Sequence, residues 1–321
     1  MNTSFHHTLL YLKRAARPVP VICLMLAIFC LFTACEASFG SSSAPLSGHI
    51  RIDGSTALQP LVSKAATLFH NKYPQVQIQV DGGGSVTGLN DVTTHKVDIG
   101  NSDIYADPAT YPDPNLTDHL VCVIPFTMIV SSDVPVADLK VSQIIDIFAT
   151  GKITNWSQLG GPDLQIVPIV RPPTSGTRAT FRRYVLGGRD ERGNLLAINS
   201  SQDVVKTVAS TPGAIGYLAA SVLDSHVHAI SIGGYSAAQK NIEDGHYTFW
   251  SYEHMYTLSV ESAGPVDAFL NFMLTPQVQQ EATALHYIPV SALKFQQLSK
   301  VPPVAVPYAL YFPEKRKRSI L

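Results

Sequence analysis

Three turns rich in Gly, Ser and Thr, each following a strand-like run and opening into a helical one, constrain this chain more than any other feature. Asp53-Gly54-Ser55-Thr56 follows His49-Ile50-Arg51-Ile52 and precedes Leu58, Leu61, Val62, Ala65, Leu68 and Phe69, which fall at helical spacing. Asp81-Gly82-Gly83-Gly84-Ser85-Val86-Thr87-Gly88 follows the alternating Val76, Ile78 and Val80 and again leads toward a helix. Arg171-Pro172-Pro173-Thr174-Ser175-Gly176-Thr177 follows a strand predicted over Gln165 to Val170 and precedes a helix predicted over about 178–186. The third turn sets a guanidinium and two hydroxyls beside a glycine at a helix start, a combination that suits an oxyanion such as phosphate or a carboxylate. Taken alone it is ordinary capping chemistry with a solvated arginine. Three such turns can instead aim amides and hydroxyls at one point. No Gly-Lys-Ser/Thr ending marks a Walker-type loop, and the glycine spacing does not fit a dinucleotide fingerprint.

At 321 residues and 45% hydrophobic content the chain can bury a substantial core, and its size suggests two domains. Lys13, Arg14 and Arg17, an apolar stretch from Pro18 to Phe32, and then Thr33-Ala34-Cys35 read as a signal peptide over residues 1–34. The pattern resembles a bacterial lipoprotein signal with Cys35 as the lipidated mature N-terminus, although Phe32 stands where Leu is usual; an uncleaved anchor helix is the alternative. A Ser-rich linker follows over 35–47. Cys23 and Cys30 lie inside the signal, so Cys122 is the only internal cysteine of the mature chain and reads as a small buried hydrophobe. Removing residues 1–34, which carry three bases and no acid, leaves 20 bases against 24 acids, a net charge of −4. Such a chain is a poor partner for nucleic acid and would hold an anion through local dipoles and an arginine.

Strands and helices alternate from His49 to about Pro125: strands near 49–53 and 76–81, helices near 57–71 and 86–95, then Val97-Asp98-Ile99-Gly100. The run Leu120 to Val130 crosses into a second lobe, with a helix near 141–149, the turn Gly151 to Trp156, and a turn into a strand over Thr211 to Tyr217. The chain returns around Thr248 to Leu258, before helices from Pro265 to Leu274 and from Pro276 to Leu285. The expected organisation is lobe I over 48–128 plus 251–300, lobe II over 129–250, and a Pro-rich, then basic tail over 301–321.

In the order and spacing of these segments the chain resembles the phosphate-binding proteins of bacterial phosphate ABC transporters, the PstS-like branch of the type II periplasmic binding proteins. The match runs over roughly residues 48 to 295. It is carried by Asp53 through Pro60, Gly84-Ser85, Val97 through Asp103, Gly151 through Trp156, Arg171 through Thr177, Thr211 through Tyr217 and His286 through Ser291. The resemblance implies a two-lobed α/β fold with two hinge crossings and a ligand cleft between the lobes. It implies a phosphate set of the Thr56 hydroxyl, the Ala57 amide, Ser85, Asp103, Arg171, Ser175, Gly176 and Thr177, with Ser55 added at a position where the family varies. Asp103 would accept the proton that hydrogen phosphate carries and sulfate lacks. Where relatives often have a second Ser/Gly pair, this chain has Val86-Thr87-Gly88, and Thr87 either contributes or caps the helix.

The implied function is an extracytoplasmic receptor, lipid-anchored to the outer face of the cell membrane or periplasmic, that captures inorganic phosphate for the transmembrane subunits of an ABC permease. A monomer without metal or cofactor is expected. The alternatives are a receptor for another oxyanion, a surface-anchored sensor that kept the fold, and a serine-dependent phosphatase or hydrolase. Against the last, no Gly-X-Ser-X-Gly elbow occurs, and a His beside Ser85 or Ser175 would be needed to revive it. His226-Val227-His228 has the spacing of a metal pair, with no Cys or carboxylate cluster nearby.

Overall fold

The computed structural model describes residues 45–258 and 264–293. The signal peptide, Cys35, most of the Ser-rich linker, residues 294–300 and the tail 301–321 lie outside them. Strand β1 (Gly48–Gly54) pairs in parallel with β2 (Val76–Val80) on one side and β3 (Ile99–Ser102) on the other. Helix α1 (Gln59–Lys72) connects the first two. Pro60 fits its first turn, where an amide proton would have no helical partner. Leu61, Val62, Ala65, Ala66 and Phe69 form its buried stripe, and Phe69 meets Phe269 and Phe272 of α7 (Pro265–Met273) edge-on, with ring centroids 5.3 Å apart in each case. Helix α2 (Ser85–Thr93) links β2 to β3 and buries Gly88, Leu89 and Val92.

The strand β4 (Leu116–Ser131) is long enough to belong to two groups of strands. Its residues Leu116 to Pro125 pair antiparallel with β10 (Trp250–Leu258), which pairs on its other edge with β3. From Phe126 onward β4 pairs instead with β8 (Ala214–Ala219) and β9 (Val227–Ile232). Strand β6 (Val167–Val170) runs parallel to β8 and to the short β7 (Leu196–Ala197), and β5 (Asp138–Leu139) parallel to β9, which completes a ten-stranded mixed sheet. Val121, Val123, Ile124, Phe126, Met128, Ile129 and Val130 of β4 are all buried, so this strand reads as a continuous apolar run because both of its faces are covered.

The predicted strand-to-helix alternation is present, with several differences in detail. Helix α4 (Gly176–Tyr184) begins two residues earlier than expected, because Ser175 caps it by accepting from the Arg178 amide at 3.2 Å. The helix expected over 141–149 is a short α3 (Val141–Ile145) that widens into a π-turn over Asp146–Thr150 and stops at Gly151, whose φ of 69° reverses the chain. Helices α5 (Ser201–Ser210) and α6 (Gln239–Glu243) and strands β5, β7 and β9 carry no expectation from the sequence. Strands β5 and β7 are two residues each, and Leu196 is exposed, so they bear no alternation to read. The last helix, α8 (Pro276–Ala284), lies one residue short of its expected end.

Candidate functional site

The three turns meet. Gly84 brings α2 to the second turn with a φ of 95° and lies so close to the third that an added Cβ would sit 2.5 Å from the Thr174 carbonyl oxygen. The Val86 amide donates to that carbonyl at 3.0 Å. Gly176 is packed against the first residue of α2: a Cβ there would collide with Ser85 Oγ and come within 2.8 Å of Asp103 Cβ. Only a glycine permits this approach of the α4 N-terminus to Ser85 and Asp103. Ser55, Thr56, Ser85, Asp103, Arg171, Ser175 and Thr177 are all buried, each at most 5% exposed.

Asp103, just past β3, collects the hydroxyls. Ser55 Oγ donates to one carboxylate oxygen and Thr177 Oγ1 to the other, the latter at 2.9 Å, while the Asp103 amide donates to Ser85 Oγ at 2.9 Å. The Ser251 hydroxyl donates to the Asp103 carbonyl and fixes the backbone from the β10 side. Arg171 is 1% exposed and spends its fork on defined partners. Its Nε donates to the Ile198 carbonyl at 2.9 Å, Nη1 to Ser201 Oγ at 3.1 Å, and Nη2 to the Asn199 carbonyl and to Thr56 Oγ1, each at 2.9 Å. Burial pulls the guanidinium down from its ordinary pKa, and the charge on Asp103 acts in the opposite direction. Arginine keeps its charge through such a shift. The guanidinium and the carboxylate therefore share one buried region.

Two expected site residues already have local partners. The amides of Ala57 and Leu58 both donate to Ser55 Oγ at 3.1 Å, so Ser55 caps its own turn while donating to Asp103. Ser175 Oγ accepts from the Arg178 amide, which makes it first a helix cap. Thr87 Oγ1 donates back to the Gly83 carbonyl at 2.9 Å, the capping alternative rather than a contribution to the cluster. His226 pairs with Asp224 at 3.2 Å on the surface, and His228 is exposed one strand position beyond buried Val227. Among the described residues no histidine hydrogen-bonds Ser85 or Ser175; their hydroxyls accept from the Asp103 and Arg178 amides.

Several participants drew no expectation from the sequence. Ser201 opens α5 and reaches Arg171, and its amide donates to Thr56 Oγ1 at 3.3 Å; Asn199-Ser200-Ser201 is a capping pattern that could have marked a fourth helix start. Behind Arg171, its amide donates to Tyr217 Oη at 3.2 Å; that hydroxyl donates to Glu191 at 2.8 Å, and Arg178 Nε donates to the same carboxylate at 2.9 Å. Tyr217 stacks on Phe181 of α4 with centroids 4.1 Å apart, so the arginine loop and the α4 N-terminus share one rigid support. Asp103 also borders a cavity of about 400 Å3 walled by Tyr105, Arg183, Tyr184, Trp250 and Tyr252.

Asp53, at the first turn, is half-buried, and burial, then a hydrogen bond with Asp91 and the Asp91 charge, push it up to about 7. Its unfolded value is 3.8, so the folded chain holds the extra proton between these limits and the stability it confers is lost as pH rises from about 4 to about 7. Asp53→Asn is expected to raise the melting temperature more at pH 8 than at pH 4; an equal shift at both pH values would show that Asp53 does not titrate in this window.

A buried guanidinium, a carboxylate that accepts hydroxyls, and a helix N-terminus around one point, on an α/β sheet whose central strand serves two groups of strands, define an oxyanion-binding protein of the periplasmic-binding-protein kind. A sequence profile described as a PBP superfamily domain matches residues 40–277. The phosphate-binding protein PstS of Bacillus subtilis (strain 168) is 40% identical over 287 residues, 85% of this chain and 95% of that one; the chain belongs to the PstS family of the type II periplasmic binding proteins. A Clostridium perfringens structure described as a phosphate ABC transporter substrate-binding protein with bound phosphate superposes with a TM-score of 0.71 at 28% identity, over 76% of this chain and all of that one. An ABC-type phosphate transport receptor from Vibrio cholerae shares the fold, with a TM-score of 0.61 at 24% identity over 74% of this chain and 99% of that one.

Proposed function

We propose that this protein is an extracytoplasmic receptor that captures inorganic phosphate and passes it to the transmembrane subunits of an ABC permease. The observation that carries the reading is the convergence of Arg171, Asp103, Ser85 and the α4 N-terminus in one buried cluster, in a chain of the PstS family. Thr56, Ser85, Arg171, Ser175 and the Gly176 amide are the donors, the Ala57 amide joins them by leaving Ser55 Oγ, Thr177 Oγ1 steadies the Asp103 carboxylate, and Arg171 offsets the desolvation of the anion. Asp103 accepts the proton of hydrogen phosphate, with Ser55 steadying its carboxylate. A carboxylate has lone pairs for a third donor beyond two hydroxyls. The two lobes are residues 48–128 with 251–300, and 129–250; they close on the ion as a clamp, with β4 and β10 as the crossings. No helix among the described residues is long and apolar enough to cross a membrane. The membrane link is a lipid on Cys35, the first residue after Thr33-Ala34, and the receptor acts as a monomer. Isothermal titration of residues 36–321 with phosphate and with sulfate tests the reading: phosphate is expected to bind and sulfate to bind far more weakly. Absence of phosphate heat, or turnover of a phosphomonoester, would overturn it.

A further inference from the structure

Glu253 lies directly across from Cys122 in the β10–β4 ladder, at the point where the register between the two strands shifts. Its side chain is fully buried, and neither carboxyl oxygen has a hydrogen-bond partner of standard geometry, although the Asp103 carboxyl is its close neighbour. Among the described residues, the titratable groups that face it are Asp103 beyond β3, Cys122 of β4 and Tyr287 beyond α8, and none of these is a cation. An ionised carboxylate there would be desolvated, unpaired and beside a second carboxylate. The donors are distributed unequally between the two acids. Asp103 receives hydroxyls on both of its oxygens, whereas Glu253 receives none. Hydrogen bonding of this kind favours the charged form of the acid that accepts it, so one proton shared by the pair belongs on Glu253.

We propose that Glu253 is a positioning residue that stays protonated beneath Asp103 and thereby keeps the single negative charge of the pair on Asp103, where the proton of the ligand is read. The proposal rests on the phosphate-receptor reading and adds a residue to it. Burial first, and the charge on Asp103 second, push the Glu253 carboxyl well above its ordinary range. Were the proton to sit on Asp103 instead, that residue would become a donor and would welcome sulfate. Were both acids ionised, two carboxylates would face a dianion.

Infrared spectroscopy of the unliganded mature protein at pH 7.5 tests the assignment. A C=O stretch of a protonated carboxyl is expected, shifted by selective 13C labelling of glutamate and lost in Glu253→Gln. This isotope experiment needs no substitution, and it separates Glu253 from any neutral aspartic acid such as Asp53. Titration with phosphate on the alkaline side of the second ionisation of the ligand supplies the functional arm. Once pH passes the value at which the glutamate band disappears, wild-type affinity is expected to fall about tenfold per pH unit, the signature of one linked proton, while Glu253→Gln stays level. Absence of a glutamate band, a band that follows aspartate labelling, or a variant whose affinity falls in step with the wild type would each overturn the proposal. A wild type that binds no phosphate but shows the glutamate band would instead sink the receptor reading and leave the protonation of Glu253 standing.

Discussion

Replacing Arg171 with alanine is expected to weaken phosphate binding by roughly 30-fold to several thousand-fold, the equivalent of about 2–5 kcal/mol for one member of a buried charge pair. The anion loses the one charged donor that the described residues place in the cluster. The Ile198 and Asn199 carbonyls and Thr56 Oγ1 also lose a partner, so some of the cost falls on the protein itself. Arg171→Lys separates the two components. It keeps the charge, but three N–H donors on one nitrogen cannot replace a planar fork that serves four partners, and an intermediate affinity is expected. Calorimetric titration beside a thermal melt is the measurement. Unchanged affinity in Arg171→Ala would remove the residue from the site.

Asp103→Asn is expected to act on selectivity more than on total affinity. The asparagine amide can donate where the carboxylate could only accept, so hydrogen phosphate loses the acceptor for its proton and sulfate gains a donor. Hydrogen bonds to charged groups contribute about 1.5–3 kcal/mol, so the phosphate-to-sulfate affinity ratio should fall by roughly ten- to 150-fold. One of the two hydroxyls now held by Asp103, from Ser55 or Thr177, would have to turn away, which predicts a small loss of stability as well. A ratio equal to that of the wild type would show that another group reads the proton.

Much of this was legible in the sequence because the relevant signals are local. A turn such as Asp53-Gly54-Ser55-Thr56 between an alternating run and a helical run declares its own geometry, and β1, α1, β2 and α2 lie within a few residues of their expected bounds. The convergence of Arg171, Asp103 and Ser85 was inferred from a family resemblance, and the coordinates bring the three together. What the sequence hid depends on distant packing. Nothing in Trp250-Ser251-Tyr252-Glu253-His254 marks Glu253 as fully buried, since its surroundings come from β3, β4 and the segment after α8. Ser201 reaches the cluster only because α5 packs on β8, a tertiary choice without local periodicity strong enough to foretell it. The Ala57 amide was expected to face a ligand, and its bond to Ser55 Oγ shows how a short hydroxyl competes for the same donor.

The position of β10 has a consequence for how such a chain is made. This strand comes from near residue 250, yet it is threaded between β3 and β4, and one of its residues holds the Asp103 backbone. A nascent polypeptide that has not yet delivered this strand has two open sheet edges and an unsupported acid loop. Topologies that wait for so remote a pairing mature slowly. Closure of the sheet and support of the Asp103 loop are thereby deferred until the residues near 250 have been synthesised.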